Sequence, residues 1–245
     1  MRATILALAR DEITDPSIES HVEPATYPAI DATAYERLDG TTIYAGTAAG
    51  KIDTEQEEIY VNADEIVTET VQATDDVYCE WVADLSAGWV GVNRSDGDWL
   101  FDTLGATKGT LIQRAEIDVD GFASYLSDYP NASAWNITQT RSFDADGDAE
   151  ESVIAYHDAA HLADTSGSRQ TTMLGFEYFW NDGYTRGVVS ESGYVALFDG
   201  GDRPGTYAAF INSEILSFAS LPEEYQGALG DVHEADEQEV SADGE

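Results

Sequence analysis

His157 and His161 flank Asp158-Ala159-Ala160. On a helix, residues four apart lie one turn apart on the same face, so both imidazoles could reach one zinc ion. An acid between them could take a proton from metal-bound water. Glu177 is the candidate third ligand. The chemistry would be metal-assisted hydrolysis, and it requires a helix over residues 153–162.

This spacing resembles the zincin signature His-Glu-x-x-His, with Asp158 where that family carries its catalytic Glu. Asp is one methylene shorter than the side chain that must reach the water. The element that would position the histidines also argues against a shared ion. Ser152-Val153-Ile154-Ala155-Tyr156 is β-branched and aromatic, between an acidic turn and the Ser/Gly loop 164–169, and this predicts a strand. Residues four apart on a strand are separated by about 13 Å, too far for one metal. The two histidines then sit at a strand end, partly exposed.

Other sequence signals reduce to turn chemistry. Asp144-Ala145-Asp146-Gly147-Asp148 has the acids of a calcium loop, but Gly147 precedes the third acid and Ala155 stands at position twelve. It reads as an acidic hairpin turn. No GxGxxG, phosphate-binding loop, GxSxG or CxxC pattern occurs. Cys79 is the one cysteine, so no intrachain disulfide forms, and its neighbours Val77 and Trp81 mark it as a buried small hydrophobe.

Charge sets the strongest bound. Across 245 residues, 48 Asp and Glu face 11 Lys and Arg, for a formal net charge of −37. Lys51 and Lys108 are the lysines; the other cations are arginines isolated in sequence. Direct nucleic-acid binding needs clustered cations and is disfavoured. Acids spread along the whole chain would repel one another in ordinary salt, whereas at molar salt the Debye length falls to about 3 Å. The composition resembles that of cytoplasmic proteins of salt-in haloarchaea, which implies a high-salt cytosol as habitat and leaves function open. The opening run MRATILALARDE is too short for an export signal or a membrane span, and no later segment reaches spanning length.

The chain is organised around Thr171–Asp199. Leu174, Phe176, Tyr178 and Trp180 alternate with Met173, Gly175, Glu177 and Phe179, the period of a strand. Asn181-Asp182-Gly183 is a hairpin signal, and strands over 184–190 and 194–198 complete a meander. Further strands are expected over 3–9, 42–44, 58–61, 66–71, 77–85, 89–93, 99–103, 134–143 and 152–160. A short helix is expected over 32–38. Asp118 is placed to cap a helix through Tyr129, and Tyr207, Phe210, Ile211, Ile215 and Phe218 form the stripe of another.

The fold class is therefore α+β: antiparallel meanders with helices near 118–129 and 206–219 packed on one face. One domain over 1–221 is expected, followed by an acidic disordered tail, 222–245. Two related halves, 1–117 and 118–221, are the alternative. They rest on an echo in which Gly91-Val92, Gly97 and Leu100-Phe101-Asp102 match Gly187-Val188, Gly193 and Leu197-Phe198-Asp199.

With no catalytic motif, the leading expectation is a non-enzymatic intracellular protein of a halophile. It would act through protein–protein contact as an assembly, adaptor or accessory factor, with a protein partner or its own copies. A zinc-dependent hydrolase using His157 and His161 is the second reading. The third is a DNA-transaction accessory, clamp-like or DNA-mimicking; sliding clamps share the general plan, but none of their motifs is present. The readings differ in what they require: an exposed apolar patch, a helix bearing converging imidazoles, or acids spaced like phosphates.

Overall fold

Period-two patterning builds the sheet. In β10 (Gln170–Trp180), Leu174, Phe176 and Tyr178 are buried while Phe179 faces solvent. Asn181 and Asp182 both take positive φ and turn the chain into β11 (Gly183–Ser190), as the hairpin signal predicts. Gly193, at φ 82°, turns it again into β12 (Tyr194–Leu197). The computed structural model describes residues 2–37, 40–62, 65–143, 150–157, 170–199, 201 and 203–223.

The remaining strands are β1 (Arg2–Ala9), β2 (Ala29–Glu36), β3 (Thr42–Asn62), β4 (Glu65–Asp84), β5 (Trp89–Val92), β6 (Ile112–Arg114), β7 (Glu116–Ile117), β8 (Ser133–Phe143), β9 (Glu150–His157) and β13 (Ala219–Ser220). Eleven form one antiparallel sheet in the order β2-β3-β4-β5-β1-β12-β11-β10-β8-β9, with β6 added on β1. β7 and β13 pair separately. β1 is the hinge of the order: it bonds β5 on one side and β12 on the other, joining two hairpin series.

Alternation on the central strands feeds two cores. Leu6, Val82, Trp89, Val189 and Val195 face α2 (Val119–Ser127) and α3 (Pro204–Phe210). Their neighbours Ala7, Trp81, Ala83, Val90 and Val92 pack with Leu100, Phe101 and Leu104 of α1 (Trp99–Lys108). The expected placement of the two later helices on one face holds. Asp118 caps α2 by accepting from the Gly121 amide at 2.8 Å. Tyr207, Phe210, Ile211 and Ile215 are all fully buried, as their stripe predicts. Beyond Phe210 the helix widens into a π turn, Ile211–Ile215, and then tightens into a 3₁₀ turn, Leu216–Phe218.

Three local expectations are corrected. Residues 32–38 were expected as a helix, but 32–36 lie in β2, which pairs residue for residue with Thr42–Ala49; sheet pairing overrides a weak cap signal at Asp31. Residues 99–103 open α1 instead of forming a strand. Leu100, Phe101 and Leu104 share a buried face, and Gly109 closes the helix at φ 69°. The four short strands expected between 42 and 85 are two continuous ones, because their polar middles pair across the hairpin. The glycine echo falls on different elements. Its first copy runs through β5, a 3₁₀ turn and α1, and its second through β11, a turn and β12. The tail beyond 223 lies outside the described residues.

Cys79 is fully buried, and burial, with Asp96 adding to it, pushes its thiol up to about 11. It is a packing residue.

Candidate functional site

The proposed zinc ligands are not brought together by the described structure. His157 ends β9 opposite Asn136, and residues 153–157 of the required helix are strand. His161 lies outside the described residues. Glu177 lies on β10 opposite Ser133, so β8 stands between the strands of Glu177 and His157. Among the described residues, no group of three His, Cys, Asp or Glu side chains is placed to hold a metal ion.

Glu177 has other partners. The Tyr184 hydroxyl donates to one carboxylate oxygen and Ser133 Oγ donates to the other at 2.9 Å. The hydrogen bond from Tyr184, then that from Ser133, hold the carboxyl below its ordinary value of 4.5. With the folded value depressed, the stabilisation is complete above about pH 4.5 and is lost as pH falls through the folded midpoint. In Tyr184→Phe the Glu177 midpoint, read by side-chain NMR, is expected to rise toward 4.5. An unchanged midpoint would refute this coupling.

A dense polar network lies in the core. Glu214, on the π turn, accepts from Tyr178 Oη at 2.8 Å, Tyr125 Oη at 3.1 Å and Trp180 Nε1 at 2.9 Å. Asn212, two residues earlier, accepts from Trp89 Nε1 at 2.6 Å and donates to the buried Asp84 at 2.8 Å. The wide turn lets residues two apart both reach sheet side chains. π turns recur at functional sites, yet these groups satisfy one another and present no unpaired nucleophile or base. Their chemistry is positional.

The strongest outward-facing feature is the β3–β4 ribbon. Pairing with β2 ends at Ala49, and pairing with β5 ends at Trp81. From Lys51↔Asp76 to Asn62↔Glu65, among the described residues, the two strands pair only with each other. That length projects about 35–40 Å. Its base is braced: the Trp99 ring packs on Gly50, where an added Cβ would approach it to 2.8 Å, and Lys51 lies 5.1 Å from the centre of the Tyr27 ring. Its shaft is tied by Gln72 to Glu55 at 3.0 Å, Thr74 to Asp53 at 3.1 Å and Thr54 to Asp75 at 3.0 Å.

The tip is apolar. Ile59 is 69% exposed, Val61 72% and Ile66 72%. Register places Val61 directly opposite Ile66, with Ile59 two positions along the same face, and Tyr60 opposite Val67 on the other face. Glu57, Glu58, Glu65 and Glu69 rim this tip, and Glu58 faces Glu69 directly. A two-stranded ribbon is marginally stable alone in water, and an exposed apolar end adds nothing to the fold. The sequence expectation of strands over 58–61 and 66–71 located this segment without revealing its exposure. The signal lay in Ile59-Tyr60-Val61 and Ile66-Val67 standing among acids on both sides.

No family model matches the chain, and no curated protein matches it significantly. Among the described residues no helix is long and apolar enough to cross a membrane.

Proposed function

We propose that this chain works by protein–protein contact, with the β3–β4 ribbon as the contacting element. One observation carries the reading: Ile59, Val61 and Ile66 are about 70% exposed at the end of a ribbon that no other element covers among the described residues. The occupant is a partner protein with an apolar groove rimmed by Lys or Arg. Two copies of this tip would press their carboxylate rims against each other inside a closed interface, where salt screens charge far less than on an open surface, so charge favours a different partner over self-association. The habitat reading belongs with this proposal. A cytosol of concentrated salt screens the solvent-exposed Glu58–Glu69 opposition and the net charge.

The test is a photo-crosslinking residue at position 61 in living cells, with exposed Glu23 as the control position. One discrete adduct is expected from position 61. Its protein component, once purified, should bind the intact chain in molar KCl and bind the Ile59→Asp, Val61→Asp, Ile66→Asp triple variant at least tenfold more weakly. Adducts no more discrete than those from position 23, or equal binding by the triple variant, would sink the reading. An adduct with a second copy of this chain would replace the heterologous partner with self-association.

A further inference from the structure

The helices cover the two faces of the sheet unequally. One face carries α2 and α3 on a single core. On the opposite face Leu100, Phe101 and Leu104 of α1 pack against Trp81, Val90 and Val92 of β4 and β5. Over β10, β11 and the end of β12 that second face stays open: Phe179 is 58% exposed, Tyr184 47% and Phe198 39%.

Strand alternation builds this surface. Leu174, Phe176 and Tyr178 point into the helix-covered core, so Glu177 and Phe179 point the other way. Register sets Phe179 opposite Tyr184 and Glu177 opposite Arg186, and the Phe198 amide donates to Arg186 O at 2.8 Å. Two side-chain rows result, about 7 Å apart along the strands. One is Phe179 and Tyr184; the other is Glu177, Arg186 and Phe198. A bulge in the β8–β10 pairing brings Trp135 onto the same face. Its ring lies over Gly175, where an added Cβ would approach it to 2.7 Å, and its Nε1 donates to Phe176 O at 3.1 Å.

The rings stand in pairs, Phe179 edge-on to Tyr184 at 6.1 Å and Trp135 tilted against Phe198 at 6.0 Å. Polar groups are set between them. The Arg186 guanidinium lies 4.7 Å from the centre of the Trp135 ring, and its Nε has no acceptor. Glu177, across from it, gives its two oxygens to Ser133 and Tyr184 and leaves Arg186 without an ion pair among the described residues. A carboxylate has about four lone-pair sites, so Glu177 can still accept from a further donor.

A ligand on this face must offer an apolar surface to the rings, acceptors to Arg186 and donors to Glu177. A charge of either sign would meet its like in the second row. Sugar rings meet these demands, because their C–H faces are apolar and each hydroxyl both donates and accepts. An apolar protein surface would bury Arg186 and Glu177 without partners. We infer that this face binds a neutral oligosaccharide, its C–H faces on Phe198 and the Phe179–Tyr184 pair and its hydroxyls on Arg186 and Glu177. Two rows of rings call for at least two sugar units. The site implies no reaction and stands independently of the ribbon's role.

The experiment is calorimetric titration of the full chain in molar KCl with cellohexaose, xylohexaose, maltohexaose and chitohexaose, and with glucose as the single-unit control. Saturable binding of at least one hexaose is expected, at least tenfold tighter than glucose. Doubling the KCl concentration should change it less than twofold, since the ligand carries no charge. Phe198→Ala, Tyr184→Ala and Arg186→Gln, each with an unchanged far-UV spectrum, should weaken it at least fivefold, and Val61→Asp on the ribbon should leave it unchanged. No saturable binding of any hexaose, glucose binding as tightly, or full binding by a Tyr184→Ala, Phe198→Ala double variant would each overturn the site. A concentration-dependent dimer that the double variant abolishes would overturn it too, by making this face an interface between copies.

Discussion

Glu214→Leu is expected to destabilise the protein by about 3–5 kcal/mol, the balance between three charge-assisted hydrogen bonds lost, at about 1.5–3 kcal/mol each, and the recovered cost of burying the carboxylate. Leucine has nearly the right volume, so the loss is polar. Tyr178 Oη, Tyr125 Oη and Trp180 Nε1 all donate to this carboxylate; Tyr178 is fully buried, whereas Tyr125 also meets the Tyr129 hydroxyl and Trp180 Nε1 also lies 3.3 Å from Ser213 Oγ. Each buried donor left without a partner costs about 1–3 kcal/mol. In thermal unfolding at molar KCl the midpoint should fall by roughly 6–20 °C.

Glu214→Gln separates charge from hydrogen bonding. Tyrosine hydroxyls can turn to accept from the new amide, whereas the Trp180 indole can only donate. Glutamine should therefore place its oxygen toward Trp180 and its NH₂ toward the tyrosines, at a cost of about 1 kcal/mol. Tyr178→Phe gives the cycle: costly in the wild type, neutral or stabilising beside Glu214→Leu because it removes an orphaned hydroxyl. A leucine variant within about 1 kcal/mol of wild type would refute the network's role.

The same cluster sets an alkaline limit. Burial first, then the hydrogen bond to Glu214, raises the Tyr178 hydroxyl well above its ordinary value of 10.0, and burial followed by the Tyr129 hydroxyl raises Tyr125. Because the folded values are raised, the contribution is complete below about pH 10 and declines as pH rises beyond it. The unfolding midpoint should drop above pH 10, and less so in Tyr178→Phe.

Phe176→Ala is the second large effect, expected at about 3–5 kcal/mol from lost transfer free energy and the cavity left behind. The ring is fully buried at the meeting point of sheet and helices. It stands edge-on to Phe122 of α2 at 5.3 Å, stacks on Phe210 of α3 at 5.9 Å and leans on Tyr178 at 6.0 Å. Gly187, its cross-strand partner, makes room for it, since an added Cβ there would approach the ring tip to 2.6 Å. Phe176→Leu keeps most of the volume and should cost under about 1.5 kcal/mol. Denaturant unfolding at fixed KCl measures both, and a loss under about 1 kcal/mol for alanine would show that the helices close over the gap.

The sequence by itself determined what local patterning and turn chemistry can determine. Alternation at Leu174, Phe176 and Tyr178, the Asn181-Asp182-Gly183 turn, the Asp118 cap and the stripe from Tyr207 to Ile215 each rest on neighbours a few residues away, and each holds. Where pairing or packing from a distance competes, local signals lose. The Ala32 region follows Thr42–Ala49 into the sheet, and Trp99 follows the hydrophobic face of Leu100 and Leu104 into a helix. Only the tertiary structure decided which apolar residues stay uncovered. Ile59, Val61 and Ile66 read like any strand, and their exposure depends on where β2 and β5 stop pairing. Tyr35 of β2 and Trp180 of β10 stand far apart in both sequence and strand order yet line one cleft with the start of α3, a long-range meeting that no local pattern encodes.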